Sequence, residues 1–319
     1  MCLFPIHLLQ ELSGNVDHFL ALERLDVNNN TKVESIICLN EINEQQMNLA
    51  LKNINLDVLP MMTCLFVGPK DSFSLQNLTW LKIKRCEKLK IVFSTSIIRC
   101  LPQLLDLRIE ECNELKHIIE DDLENTTKTC FPKLKILVVV KCNKLKYVFP
   151  ISICKELPEP YDLRIEECNE LKHIIEDELK NTKKTCFPKL KILAVIKCNK
   201  LKYVDPISIC KELPELNVLI IREAEELEEI FLSEGDNQKV EIPNLKFVVF
   251  ENLPILSHDQ GIQFQDVKHR FIKNCQKLSL ASATTADLEK DLCDFLYIYI
   301  GTHSIQYFLK PFGICLKDI

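Results

Sequence analysis

The segment DLRIEECNELKHIIED at residues 106–121 returns letter for letter at residues 162–177. A second segment, CFPKLKIL at residues 130–137, returns at the same spacing of 56 residues, at 186–193. Self-similarity at a fixed period indicates a stack of repeats, in which each unit buries its apolar face against its neighbours. Because such a stack has a long surface and usually no single catalytic pocket, the repetition favours binding over catalysis.

Each 56-residue block contains two shorter units built on the template L-x-x-L-x-[IV]-x-x-C-x-x-L. Six consecutive copies place these residues at the cysteine position: Cys86, Cys112, Cys142, Cys168, Cys198 and Ala224. Weaker copies upstream and downstream bring the number of units to ten. The L-x-[IV] core alternates with period two, which predicts a short strand with its Leu and Ile facing inward.

This spacing resembles the leucine-rich-repeat pattern. It predicts an α/β solenoid with a parallel β-sheet of about ten short strands on the concave face. Parallel strands need a return connection, so irregular or helical return arms are expected between them. We assign the solenoid to residues 20–282, a lead-in or partial cap to residues 1–19, and a non-repeat tail to residues 283–319. The tail, with the aromatic run FLYIYI at residues 295–300, is open to interpretation as a cap, a poorly ordered appendage or a product of gene degeneration.

Composition argues against several classes of function. The formal net charge is −6 without a long block of one sign, so nucleic acid is not an expected partner. The chain has only six glycines and no phosphate-loop motif, which argues against a nucleotide cofactor. The sequence indicates no other cofactor. No apolar run approaches the ~20 residues that span a bilayer, so membrane insertion is not expected. The chain has sixteen cysteines and no recognisable signal peptide, and six of the cysteines fall at one inward repeat position. This combination predicts a reduced, cytoplasmic protein.

No catalytic or metal site is expected. His117 and His173 each follow a template cysteine by five residues, but a structural zinc ion almost always needs four ligands and no second pair is close in sequence. The carboxylates at the ends of the repeated strands, Glu110, Glu111, Glu166 and Glu167, have no nucleophile or base repeated beside them. We interpret them as a solvated face, and the charged strand positions as determinants of register and solubility.

The outward strand positions are unusually apolar. Contiguous apolar surface usually marks an interaction site, so we predict a protein-binding surface on the concave face made of Trp80, Ile136, Val138, Val140, Ile192, Ala194, Ile196, Val218, Ile220, Phe247 and Val249. Two alternatives stay open. In the first, the face is apolar because another part of a longer parent protein covers it. In the second, β-branched residues simply fill strand positions by propensity.

One stretch carries a more specific resemblance. LTWLKIKRCEKLKIVF at residues 78–93, preceded by LPMMTCLFVGP at residues 59–69, resembles the repeat region of plant intracellular immune receptors of the coiled-coil class. The resemblance implies recognition of a pathogen effector, of a guarded host protein, or of the receptor's own nucleotide-binding module. Since the chain contains no coiled coil or nucleotide-binding module, it is expected to be a fragment or a truncated paralogue. The alternative is the substrate-receptor repeat domain of a ubiquitin ligase.

Overall fold

A computed structural model gives the fold. It describes residues 1–5, 21–38, 47–68, 73–94, 101–119, 131–149, 160–175, 187, 189–206, 213–232, 242–257 and 264–283. The interior of the lead-in and nearly all of the C-terminal tail therefore lie outside the described residues.

Ten strands form one parallel sheet. They are β2 (Arg24–Asn28), β5 (Asn53–Asp57), β8 (Trp80–Lys84), β10 (Asp106–Glu110), β12 (Ile136–Val140), β13 (Asp162–Glu166), β14 (Ile192–Ile196), β16 (Val218–Arg222), β18 (Phe247–Glu251) and β19 (His269–Lys273). Their order in the sheet is their order in the chain, from β2 at one edge to β19 at the other. The predicted parallel solenoid is therefore confirmed.

The inward side chains of the template form the core. In β8, for example, Leu81 and Ile83 are buried, while Trp80 and Lys82 on the other face are partly exposed. One continuous apolar cluster runs under the sheet from Leu25 to Leu280. The alternation of the sequence thus places one face of every strand in this cluster, as the period-two pattern requires.

Every strand of the sheet is followed by a residue with positive φ, between 50° and 56°, and none of these residues is glycine. This conformation turns the chain inward at the end of the strand and points the amide at the next strand. The amide of Lys141 donates to the carbonyl of Glu166 at 2.8 Å, and that of Glu167 to the carbonyl of Ile196 at 2.8 Å. The positive φ at these positions is not evident from residue type, since they include Val58, Arg85 and Lys141.

The template cysteines are buried free thiols directly after this turn. The Sγ atom of Cys142 donates to the carbonyl of Val140 at 3.6 Å, and that of Cys168 to the carbonyl of Glu166 at 3.5 Å. Burial raises the pKa of Cys142 well above its ordinary value, so the thiol stays protonated. The inward position predicted for these cysteines is confirmed.

The described parts of the return arms are extended. They contain β1 (Cys2–Pro5), β3 (Ser35–Cys38), β4 (Met47–Asn48), β6 (Phe66–Val67), β7 (Phe73–Ser74), β9 (Ile91–Phe93), β11 (His117–Ile119), β15 (Asp205–Pro206) and β17 (Phe231–Leu232). The described residues include a 3₁₀ turn at Phe264–Asp266 but no α-helix, so helical return arms are not supported. The physical reason is the distance that each residue spans. An extended chain rises about 3.3 Å per residue and a helix about 1.5 Å, so an extended return arm closes a short repeat around the core with fewer residues.

One pair of cysteines departs from the fully reduced chain that the sequence predicts. Strand β1 pairs in parallel with β3, which brings Cys2 next to Cys38, and the two form a disulfide with their Cα atoms 6.3 Å apart. The prediction of free thiols is wrong for this pair and right for the template cysteines.

Candidate functional site

The outward side chains of the sheet lie in three rows, because adjacent strands pair without a shift in register. The first row contains Trp80, Asp106, Ile136, Asp162, Ile192, Val218, Phe247 and His269. The second contains Lys82, Arg108, Val138, Arg164, Ala194, Ile220, Val249 and Phe271. The third contains Lys84, Glu110, Val140, Glu166, Ile196, Arg222, Glu251 and Lys273. All the predicted binding residues lie on this one face.

Exposure is not uniform along the face. Trp80 and the three β12 residues Ile136, Val138 and Val140 are partly exposed. The other predicted residues are only 1–6% exposed: Ile192, Ala194, Ile196, Val218, Ile220, Phe247 and Val249. The expectation that these seven side chains point into solvent is wrong. They lie outside the continuous core cluster beneath the sheet, so the core does not account for their burial.

The face contains a cleft of about 430 Å³ over its middle strands. It is lined by Lys82, Lys84, Arg108, Glu110, Glu111, Val138, Val140, Lys141, Arg164, Ile165, Glu166, Ala194, Ile196 and Ile220. Five of the predicted binding residues therefore meet in one concavity with charged side chains of the second and third rows. The predicted residues Trp80, Ile136, Ile192, Val218, Phe247 and Val249 are not part of its lining.

The charges at the β8 side of the cleft are paired. Glu110 accepts an ion pair from Lys82 at 2.9 Å and another from Lys84 at 3.3 Å. Burial alone would raise the pKa of Glu110, but the hydrogen bonds and charges of the two lysines outweigh it and hold this pKa below its ordinary value. This carboxylate is therefore stably ionised inside the cleft.

Glu166 is the equivalent residue in the second copy of the same segment, and its surroundings differ. Its register neighbours on the adjacent strands are Val140 and Ile196 in place of lysine. Among the residues that the structure describes, no side chain makes an ion pair or hydrogen bond with the Glu166 carboxyl. Burial, followed by the nearby charge of Glu167, raises its pKa. Glu166 therefore has no ion-pair partner among the described residues, although the nearby charges of Lys197, Lys141 and Arg222 partly offset the rise in its pKa.

A family model matches residues 2–113, 113–169 and 161–295. It describes the leucine-rich repeats of proteins similar to the plant disease resistance protein RPS2. These matches cover most of the chain. The chain belongs to this family. A search of curated proteins gave no match.

The duplicated histidines of this RPS2-like repeat chain contact aromatic rings of the following repeat. The ring of His117 lies 5.4 Å from that of Tyr147, and the ring of His173 lies 4.8 Å from that of Tyr203. Across the described stretches, no group of three or more His, Cys, Asp or Glu side chains is arranged to hold a metal ion. No helix in those stretches has the length and apolar character needed to cross a bilayer.

Sequence reasoning missed the role of the charged strand positions in the RPS2-like repeats. Glu110 and Glu166, interpreted from the sequence as part of a solvated face, line the cleft together with Lys82 and Arg108. The strand register could have indicated the cleft, because it places the apolar side chains of β12 and β14 on either side of the charged strand β13.

Proposed function

We propose that this chain is the protein-recognition module of a plant immune receptor, and that it recognises a pathogen effector or a modified host protein through its sheet face. The single observation that carries the proposal is the cleft of about 430 Å³, in which apolar and charged side chains meet around Glu166, a carboxyl without an ion-pair partner among the described residues. The RPS2-like family match supports a role in plant immunity and gives the ubiquitin-ligase alternative no support. We also propose that the module acts in the cytoplasm and without enzymatic activity.

The chemistry of the cleft suggests the chemistry of the partner. Val138, Val140, Ala194 and Ile196 offer aliphatic contact on both sides of Glu166. A lysine or arginine of the partner would give Glu166 what Lys82 and Lys84 give Glu110, and would relieve the cost of its burial. We therefore propose a partner segment with a basic residue flanked by aliphatic ones.

The predicted binding residues divide into two groups in this proposal. Trp80, Ile136, Val138 and Val140 are partly exposed and are proposed as the residues that a partner contacts first. The other seven predicted residues are 1–6% exposed and are proposed to contribute less to binding. The receptor's nucleotide-binding module remains a second candidate for the same surface.

A peptide selection tests this function. A phage-displayed library of random peptides is selected on the purified chain, and the affinity of the best peptide is measured by calorimetry. We expect the selected peptides to combine a basic residue with aliphatic neighbours. We also expect Val138→Asp and Glu166→Gln each to weaken binding about tenfold or more, which corresponds to about 1.4 kcal/mol.

Lys116 and Lys172 provide the matched control, because they are exposed equivalents in the two copies and lie beyond the strands, outside the sheet face. Charge reversal at either lysine is expected to leave peptide affinity unchanged. Loss of binding in Lys116→Glu or Lys172→Glu, with full binding in Val138→Asp, would place recognition on the return arms and contradict the proposal.

A further inference from the structure

A ladder of lysines runs along the side of the stack, with one lysine per repeat, four residues after the template cysteine. Its five members come from five successive repeats and are all exposed: Lys90, Lys116, Lys146, Lys172 and Lys202. They lie at the start of the return arms, outside the sheet face. Because they are far apart in the sequence, only the stacking of the repeats brings their charges together.

Contacts between successive repeats hold this lysine ladder in register. The amide of Lys116 donates to the carbonyl of Lys90 at 2.8 Å. The next pair of repeats is joined beside the ladder by Asn143, whose Nδ2 atom donates to Oδ1 of Asn113 at 2.8 Å. Lysines of neighbouring repeats therefore lie next to each other at about the strand spacing of 4.8 Å, and like charges placed in this way repel.

Two neighbouring columns of the same repeats avoid this repulsion because their charges alternate in sign. The column directly before the template cysteines contains Arg85, Glu111, Lys141, Glu167, Lys197 and Glu223. The column two residues after them contains Lys88, Glu114, Lys144, Glu170, Lys200 and Glu226. The lysine ladder has one sign throughout, and none of its five members forms an ion pair with any residue that the structure describes.

The acids beside the ladder already have other partners. Glu114 accepts an ion pair from Lys144 at 2.6 Å. The hydrogen bond from Lys144 lowers the pKa of Glu114, and the charges of Lys90 and Lys116 add smaller contributions in the same direction. The ladder lysines therefore stand near this carboxylate without being its counter-charge, so the ladder retains a net positive charge.

The ladder ends at an acidic repeat, which we define by Glu225, Glu226 and Glu228. Glu228 continues the column of the ladder, and its amide donates to the carbonyl of Lys202 at 3.0 Å. All three glutamates are exposed. The charge along this side of the stack therefore changes sign within one repeat, which limits an anionic ligand to the five repeats of the ladder.

We propose that the lysine ladder binds an acidic segment of a partner protein in an extended conformation. Five lysines at about 4.8 Å spacing span about 19 Å, which is the length of about six residues of extended chain. About three of those residues point to one face, so Asp or Glu at every second position would meet the ladder. The long lysine stems adjust to the difference in spacing, and the carboxylates relieve the repulsion between the lysines.

Two other kinds of polyanion fit the ladder less well. Single-stranded nucleic acid is usually bound on open aromatic rings. The rings next to the ladder pack in pairs instead, His117 with Tyr147 and His173 with Tyr203, and Tyr203 is 7% exposed. A nucleic-acid duplex or an anionic bilayer is wider than one column of side chains and would be repelled by the acidic repeat.

This inference goes beyond the proposed function, because the ladder lies outside the sheet face and takes a ligand of the opposite charge. The cleft is proposed to bind a basic segment around Glu166, whereas the ladder binds an acidic one. The two surfaces are tested with different peptides, so the failure of one assignment leaves the other standing.

Fluorescence anisotropy with a labelled peptide of alternating glutamate and threonine tests the assignment. Its affinity is measured at several salt concentrations for the unsubstituted chain and for Lys116→Gln, Lys146→Gln and Lys172→Gln together. We expect this ladder variant to bind at least about tenfold more weakly and to show a smaller dependence on salt, because fewer charges are neutralised. A peptide with glutamine in place of glutamate should not bind either protein.

A second triple variant provides the matched control. Lys133→Gln, Lys135→Gln and Lys246→Gln together remove the same charge from exposed lysines just before the strands. They are separated from the ladder by the length of a strand, about 16 Å, which exceeds the Debye length of about 8 Å at physiological salt. We expect the control variant to change the affinity for the acidic peptide less than about threefold.

Several results would overturn the proposal. Equal weakening in the two triple variants would mean that net charge alone attracts the peptide, and no binding to the unsubstituted chain at low salt would remove the ligand. Tighter binding of a single-stranded oligonucleotide or of phosphatidylserine vesicles, lost in the ladder variant, would assign the ladder to nucleic acid or to a membrane. Urea unfolding of both variants checks that the repeats stay folded, and the basic peptide selected for the cleft should bind the ladder variant with unchanged affinity.

Discussion

Glu110 and Glu166 occupy the same position in two letter-identical segments, but among the described residues only Glu110 forms ion pairs. Lys82 and Lys84 pair with Glu110, whereas the register neighbours of Glu166 are Val140 and Ile196. The second copy of the segment therefore contains the acid without the two lysines that pair with it in the first copy. This difference makes the middle of the sheet face a candidate for recognition of a basic group.

The same difference predicts opposite effects on stability. The folded-state pKa of Glu110 is lowered, so its contribution is present above the ordinary glutamate pKa and is lost as pH falls through the folded value. The folded-state pKa of Glu166 is raised, so its contribution is present at low pH and is lost as pH rises through the folded value. At pH 7 we expect Glu110→Gln to destabilise by about 0.5–1 kcal/mol and Glu166→Gln to be neutral or stabilising.

Urea unfolding from pH 3 to pH 8 provides the measurement. Both differences from the unsubstituted chain should shrink as pH falls through the folded-state pKa of each glutamate, because a protonated glutamate and a glutamine are both neutral. A loss of stability at pH 7 in Glu166→Gln as large as in Glu110→Gln would contradict the account of the cleft charges.

A second prediction concerns the buried cysteines. Cys142→Asp places a carboxyl without a counter-charge in the core and should cost about 3–5 kcal/mol of unfolding free energy. Cys64 is the natural control because its side chain is only partly buried, and Cys64→Asp should cost much less. Urea denaturation measures both. In the unsubstituted protein, a thiol reagent should label Cys64 well before Cys142, and equal labelling rates would contradict the buried position of the template cysteines.

A third prediction separates the two faces of β16. Ile221 is buried in the core cluster, whereas Ile220 is buried on the outward face. Ile221→Asp should destabilise by more than about 3 kcal/mol and unfold neighbouring repeats. Ile220→Asp should leave the repeats folded and cost about 1–2 kcal/mol, because Ile220 lines the cleft, through which a carboxylate can reach water. Circular dichroism and hydrogen exchange distinguish the outcomes, and equal unfolding by both substitutions would mean that the outward face belongs to the core.

A fourth prediction concerns the turn after each strand. Val58 has φ 54° and Asn29 has φ 53° at equivalent positions after β5 and β2. A β-branched residue is strained in this conformation, whereas asparagine tolerates it. Val58→Asn should therefore raise the unfolding free energy by about 1 kcal/mol, and Asn29→Val should lower it by a similar amount. If thermal denaturation moves both variants in the same direction, the turn does not set their stability.

The repeats were predictable because their determinants are local. Leu81, Ile83 and Cys86 are buried as the template requires, and the pairing of Ile192 with Val218 and Val218 with Phe247 follows from equal strand lengths. The positive φ of Lys141 was not predictable from residue type, since lysine has no preference for that region. The burial of Ile220 was not predictable either, because the period-two pattern places this residue on the outward face of β16.

The central claim is that the cleft binds a partner through Glu166, and a double-mutant cycle tests it most directly. The affinity of a selected peptide is measured by calorimetry for the unsubstituted chain, Glu166→Gln, a peptide with its basic residue replaced by methionine, and both changes together. The account predicts a coupling energy of at least about 1 kcal/mol for Glu166 and near zero for the same cycle with Glu110→Gln. Tight binding with no coupling at Glu166, or equal coupling at both glutamates, would contradict it.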